Sequence, residues 1–185
     1  KTPGTYNLSF ATGWTHSSTG MTPNGATFAN TNFNDNLLTL NSAHISIYSR
    51  ANINGLYCDI GANGASNKET NLFPRYTDLT YSRVQALTNN TIANTDSRGL
   101  FISNRISSTI VKSIKNTTIN NISSTSIDNT NFNIYLGALN SNGTATFNSL
   151  RELAFSSIGD GLTDTEAANF YTRVNTFQTT LNRNV

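Results

Sequence analysis

Charge is scarce in this sequence. Only 12% of its 185 residues are Asp, Glu, Lys or Arg, and 12 basic against 10 acidic side chains leave a net charge of +2. Nucleic acid is therefore not an expected partner, because phosphates call for clustered Lys and Arg. There is a single cysteine, Cys58, so no intramolecular disulfide can form and packing must hold the fold. It lies in the apolar run Leu56-Tyr57-Cys58-Asp59-Ile60 and reads as a buried, inert thiol. No apolar run approaches the roughly 18 to 20 residues that span a bilayer, and no basic segment followed by an apolar one opens the chain, so membrane insertion is not expected. The chain begins Lys1-Thr2-Pro3-Gly4 without a Met, as a fragment of a longer polypeptide or a processed product would.

Amides and hydroxyls stand in place of charge. The chain contains 29 Asn, 28 Thr and 20 Ser, about two-fifths of all residues. With 36% hydrophobic and 10% aromatic residues it lacks the signature of disorder and can bury a core, so residues 1–185 read as one domain. Asn-x-Ser/Thr triplets occur at Asn7, Asn89, Asn116, Asn121 and Asn142, no more often than this composition produces by chance, and they carry no sign of glycosylation.

The apolar pattern is mostly of period two. Residues 5–10 place Tyr6, Leu8 and Phe10 on one face, residues 44–48 place Ile45 and Ile47, and residues 56–60 place Leu56, Cys58 and Ile60; each predicts a half-buried strand. Further strands are predicted at 36–40, 72–76, 79–84, 100–103, 109–115, 118–123, 132–137 and 150–156. Turn residues punctuate them at Pro23-Asn24-Gly25, Asn54-Gly55, Asn63-Gly64 and Asn142-Gly143, where Asn and Gly tolerate positive φ. This spacing predicts an all-β, antiparallel two-sheet sandwich. Thr on the outward face fits a pleat while its hydroxyl stays solvated, which accounts for part of the composition. The last segment changes period: Ala167, Phe170, Tyr171, Val174, Phe177 and Leu181 mark one face of an amphipathic helix over about 164–181. Its start is signalled by Gly161 and by Thr163-Asp164-Thr165-Glu166, a capping box. That box accounts for Asp164 and Glu166 without a metal ion.

Three pieces of the second half carry a family likeness. Ile110-Val111-Lys112-Ser113-Ile114-Lys115-Asn116-Thr117-Thr118-Ile119 forms a strand–turn–strand pattern in which Thr117 stands where a turn Gly is customary. Asn133-Ile134-Tyr135-Leu136-Gly137-Ala138 follows, and then residues 147–155 lead through Ser157-Ile158-Gly159-Asp160-Gly161-Leu162 into the helix. In order and spacing these resemble laminin-G-like members of the concanavalin-A-like lectin/glucanase superfamily. Gly20-Met21-Thr22-Pro23-Asn24-Gly25, Ala43-His44-Ile45-Ser46-Ile47-Tyr48-Ser49-Arg50 and residues 158–181 are similar to a subgroup found in bacteriophage structural proteins and bacterial surface proteins. The resemblance implies a concanavalin-A-like jelly roll used for recognition or adhesion, on a virion surface or a bacterial cell surface. The implied partners are a host-surface glycan or neighbouring virion subunits, and a place at a fibre tip would make the module a trimer. The alternative is a purely structural decoration or oligomerisation domain. Related modules often bind calcium at a loop rim. Here Asp59 and Asn63 are the calcium candidates, since Asp59-Ile60-Gly61-Ala62-Asn63-Gly64 partly echoes a calcium loop but has Gly at its third position and Thr70 where a bidentate acid belongs. No other cofactor is expected.

Catalysis finds little support. Glucanase-type members carry Glu-x-Asp-x-x-Glu on one strand so that two carboxylates face one cleft, and no such triplet occurs among Glu69, Glu152 and Glu166. A Ser–His–Asp arrangement would have to use His16 or His44, with no Gly-x-Ser-x-Gly to accompany either. Two His and one distant Cys make no zinc spacing. A non-enzymatic domain is the expectation. Sugars are held by aromatic faces against their C–H surfaces and by amides and guanidinium groups on their hydroxyls, and the candidates for such a face are Trp14, Arg75, Tyr76, Tyr81 and Arg83. Period two puts Tyr81 and Arg83 on the same side of their strand.

Overall fold

The computed structural model describes residues 6–185. Sixteen strands run in chain order as β1 (Ser9–Phe10), β2 (Trp14–His16), β3 (Met21–Pro23), β4 (Ala29–Asn34), β5 (Ala43–Ser49), β6 (Ile60–Asn63), β7 (Glu69–Tyr76), β8 (Leu79–Ala86), β9 (Asn90–Ala93), β10 (Gly99–Arg105), β11 (Ile110–Lys115), β12 (Thr118–Ser123), β13 (Asn133–Leu136), β14 (Leu139–Ser141), β15 (Thr144–Thr146) and β16 (Leu153–Gly159), followed by helix α1 (Asp164–Thr180). They form two sheets. The first has the order β1-β4-β13-β6-β7-β8-β9, with the β14–β15 hairpin joined to β6, and the second has the order β12-β11-β10-β5-β16-β3-β2. All ladders are antiparallel except β14 on β6. The predicted two-sheet β-sandwich with a C-terminal helix is the observed architecture.

Alternation builds the layers. Ala29, Ile45, Ile47, Ile60, Ala62, Leu72, Val84, Phe101, Ile134, Leu136 and Leu153 interlock between the sheets, each pointing inward from its pleat. On the far side of the second sheet, Tyr48, Leu100, Ile102 and Ile114 pack beneath Ala167 and Val174 of α1. For this reason β5 and β10 are buried along their whole length, where half-buried strands were expected: the helix covers the face that would otherwise be wet. His44 lies in this layer, its Nδ1 2.6 Å from the Asp160 carbonyl oxygen and its Nε2 2.9 Å from Ser157 Oγ. Burial pushes its pKa down.

Helix α1 starts at the predicted box. Glu166 N donates to Thr163 Oγ1 (3.2 Å), and Thr163 N donates to Glu166 Oε2 (2.8 Å), so two orphan amides are satisfied reciprocally. The Thr163 N–H and hydroxyl, both donating to Oε2, hold the Glu166 carboxyl below its ordinary pKa. The apolar stripe departs from expectation at its end: Gln178 is buried while Phe177 and Leu181 are largely exposed. The buried line runs through 167, 174 and 178, which places Phe177 at its margin, with the Arg183 guanidinium over its ring at 5.2 Å.

Other expectations are corrected. Residues 36–40 are not a strand; Asp35–Leu37 is a 3-10 turn in which Asn34 Oδ1 accepts from Asn36 N, the local side-chain bond that competes with a ladder. Of residues 5–10, Thr5 and the preceding Lys1-Thr2-Pro3-Gly4 lie outside the described residues, and Tyr6, Leu8 and Phe10 are exposed on the edge strand and its approach. In the β11–β12 hairpin Asn116 supplies the positive φ (53°) that the missing Gly would have taken, and its Oδ1 accepts from Leu100 N at 2.9 Å. Among the described residues, no helix is long and apolar enough to cross a membrane.

Candidate functional site

Among the described residues, no helix covers the outer face of the first sheet. That face holds a cleft of about 280 Å³ lined from β6 by Asn63, from β7 by Glu69, Asn71, Phe73 and Tyr76, and from β8 by Tyr81 and Arg83, with Leu56, Asn89, Leu139 and Phe147 around it. The lining follows from the pleat. Thr70 and Leu72 of β7 and Thr80, Ser82 and Val84 of β8 point into the sandwich, so the residues between them point out. Register then pairs Asn63 with Glu69, Asn71 with Arg83 and Phe73 with Tyr81. Gly61, opposite Asn71, has no side chain to fill this space; a Cβ there would lie 2.8 Å from that of Asn71.

One wall is apolar and one end is polar. Phe73, Leu139 and Cys58 form a small cluster with Tyr81 against it, and burial pushes the Cys58 thiol far up, so it is inert as expected. Phe73 meets Phe147 edge-on at 5.8 Å, and Tyr76 lies 5.8 Å from Tyr81. At the other end both oxygens of Glu69 are engaged. Arg83 Nη1 lies 2.8 Å from its Oε2 and Asn63 Nδ2 3.1 Å from its Oε1, while Asn71 Nδ2 donates to Oε2 as well. Burial raises the Glu69 pKa against the pull of Arg83. The guanidinium is fixed from its other side by Asn89, whose Oδ1 accepts from Nε at 2.8 Å.

A bulge decides which predicted residues enter the cleft. Between the pairs Phe73–Tyr81 and Tyr76–Leu79 the register shifts, because three steps of β7 face two of β8. The shift brings Tyr76 into the cleft and takes Arg75 out. Arg75 instead binds Asp78 Oδ1 at 2.7 Å and Asn52 Oδ1 at 2.8 Å. Thr77 and Asp78 both take positive φ, 50° and 58°, the signature of a two-residue hairpin turn that matches strand twist. Trp14 is placed elsewhere: it lies on β2 at the edge of the second sheet, packs against the core and meets Phe10 edge-on at 5.3 Å. The structure thus brings Tyr76, Tyr81 and Arg83 together and leaves Arg75 and Trp14 outside.

The calcium candidates do not form a cation site. Asp59 is wholly buried, its Oδ1 accepting from Ser149 Oγ at 2.6 Å and from Arg151 Nη1 at 3.0 Å. Burial pushes its carboxyl up, opposed by Arg151. Asn63 turns its amide nitrogen to Glu69, and the described residues contain no group of three His, Cys, Asp or Glu that could hold a metal ion.

Arg151 is the residue that the sequence did not reveal. Fully buried, it donates to the carbonyl oxygens of Ile53 (2.8 Å), Tyr57 (3.2 Å) and Arg75 (2.7 Å), and it lies over the Tyr57 ring. It therefore fixes the loop that carries Leu56 and the end of β7 that carries Tyr76. Of the predicted strand 56–60 only Ile60 joins the ladder: the Tyr57 carbonyl goes to the Arg151 guanidinium, and Cys58 makes an isolated bridge to Asn148. Phe147 was equally hidden. It holds φ at 51°, a strained value for a bulky side chain that clusters at functional sites. The conformation is held by Cys58 N donating to Phe147 O at 2.8 Å and Asn148 Nδ2 donating to Thr27 O at 3.0 Å.

No protein-family model matches the sequence, and no curated protein resembles it significantly. Solved structures resemble it in fold. Domain 4 of AbnA, a GH43 extracellular arabinanase from Geobacillus stearothermophilus, solved in complex with arabinotriose, superposes with a TM-score of 0.52 at 15% identity, over 89% of this chain and 81% of that one. The NanB sialidase from Streptococcus pneumoniae, in complex with 2-[(3-chlorobenzyl)ammonio]ethanesulfonate, superposes with a TM-score of 0.51 at 16% identity, over 71% of this chain. The match spans 24% of the sialidase chain.

Proposed function

We propose that this domain is a non-catalytic recognition module that holds glycan in the open-face cleft, carried on the virion surface of a phage and directed at a host-surface glycan. The observation that carries the reading is the cleft itself. Two adjacent strands set Phe73, Tyr76 and Tyr81, with Phe147 from beyond β15, around a polar end built from amides and one guanidinium, the combination that binds a sugar's C–H face and its hydroxyls. The resemblance to phage and surface modules supports the setting, and the arabinotriose bound to the AbnA domain supports the ligand class.

The non-catalytic reading is supported by the carboxylates. Glu69 is the one acid lining the cleft, and hydrolysis of a glycosidic bond ordinarily uses two, flanking the scissile bond. Both oxygens of Glu69 are engaged, Oε2 by Arg83 and Asn71 and Oε1 by Asn63. Calcium is no part of the reading, given the commitment of Asp59 to Arg151.

A glycan array screened in calcium and again in chelator tests this. Binding is expected in both, and Tyr81→Ala is expected to reduce affinity at least about tenfold, as loss of an aromatic platform does. Absence of binding to any glycan or host cell would sink the receptor role in favour of a structural decoration domain. Release of reducing sugar from host polysaccharide would sink the non-catalytic one.

A further inference from the structure

The cleft has two properties that a plain hexose does not use. It is rich in apolar side chains beyond one stacking platform: Leu56, Phe73, Leu139 and Phe147 join the two tyrosines. One of its lining residues, Asn71, also carries an unpartnered acceptor. Asn71 is 1% exposed, and its Oδ1 is buried with no hydrogen-bond partner. The amide orientation is fixed, because Nδ2 donates to the Glu69 carboxylate and a flipped amide would set oxygen against oxygen. A buried acceptor left in this state is costly, and a ligand N–H would relieve it. Donors also remain: Arg83 spends Nη1 on Glu69 and Nε on Asn89, while Asn89 accepts through Oδ1, which leaves Nη2 and the Asn89 Nδ2 for a ligand oxygen. Glu69 and Arg83 cancel in charge, so the cleft has no net charge to offer an acid.

Resting on the glycan reading above, we propose that the cleft selects neutral sugars bearing an acetamido group. One such group meets all of these features: its methyl packs against Phe73 and Leu139, its N–H donates to Asn71 Oδ1, and its carbonyl oxygen accepts from Arg83 or Asn89. A 6-deoxyhexose supplies the methyl without the donor, and an acidic sugar brings a carboxylate to an arginine that is already paired.

Titration of the native chain with methyl glycosides, followed by calorimetry and by amide shifts in the NMR spectrum, tests the proposal. N-acetylglucosamine or N-acetylgalactosamine is expected to bind at least about tenfold tighter than glucose or galactose, the combined worth of a buried methyl and one hydrogen bond. The 2-O-acetyl analogue, which keeps the methyl and the carbonyl but lacks the N–H, is expected to lose most of that gain. Asn71→Ala should abolish the difference between the N-acetyl and O-acetyl sugars; should that variant fail to fold, the ligand pair on the native chain decides. Equal or tighter binding of the parent hexoses, fucose or rhamnose overturns the acetamido assignment and leaves glycan recognition standing. Tighter binding of N-acetylneuraminic acid overturns its restriction to neutral sugars. Shifts confined to residues outside the cleft, or no binding by any sugar, overturn this proposal together with the reading on which it rests.

Discussion

The two sheets have outer faces of the same pleated geometry, and the chain treats them oppositely. Over the second sheet, α1 covers Tyr48, Leu100, Ile102 and Ile114; the polar side chains there include His44 and Ser46, both bonded to Ser157, and Gln178 of α1, buried with neither amide atom hydrogen-bonded. Over the first sheet no helix is laid down among the described residues, and alternate residues of β7 and β8 are aromatic or joined in pairs. A face meant to be buried can dispose of its apolar surface by packing. An open one must pair most of its polar groups among themselves, as Glu69 does with Arg83 and Asn63, and here the loop and strand end that carry Leu56 and Tyr76 are held from below by the buried Arg151, itself paired with Asp59.

That contrast can be broken at the pair itself. Arg151→Met leaves Asp59 buried without a counter-charge and should cost about 3–5 kcal/mol, read as a fall in the unfolding midpoint in denaturant. Pairing it with Asp59→Asn should recover much of the loss, because the stranded charge is gone. A double variant no more stable than the single one would show that the guanidinium's carbonyl contacts, rather than its charge, hold the loop.

Next come the apolar residues of the two faces. Leu100→Ala, beneath the helix, should destabilise by about 2–5 kcal/mol through the cavity it leaves. Leu56→Ala, on a residue 42% exposed at the cleft mouth, should change stability by no more than about 0.5 kcal/mol yet weaken glycan binding. Equal stability losses would mean that the cleft wall is ordinary core.

The smallest effect concerns pH. His44 has a folded pKa below its ordinary value of 6.5, so the folded state prefers the neutral ring. The stability this provides is complete above pH 6.5 and declines as pH falls toward the lowered folded value. Melting temperatures between pH 5 and 7.5 should therefore fall on acidification in the native chain, and less so in His44→Gln; parallel curves would place the acid sensitivity elsewhere.

Much of this was legible in the residues. The period-two runs located β5, β7, β8, β10, β11, β12 and β13, and the Thr163–Glu166 box located the helix start, because both are local patterns with a local cause. Tyr81 and Arg83 were readable as one face of a strand for the same reason. Tyr76 and Arg75 were inseparable in sequence; only the bulge in β7, which depends on its pairing with β8, put one in the cleft and the other out. The left-handed backbone of Phe147 had no sequence signal, since nothing in a bulky aromatic residue favours that conformation.

What the sequence determined by itself was the class of the molecule: low charge, a single cysteine and alternating apolar residues require a packed β-sandwich, and one amphipathic segment requires a helix to cover one of its faces. Which face stays open, and which side chains meet there, was decided by tertiary structure. Register, bulges and a buried ion pair join residues more than seventy positions apart, such as Arg75 and Arg151, and contacts of that range arise from the closing of the sheets rather than from any pattern along the chain.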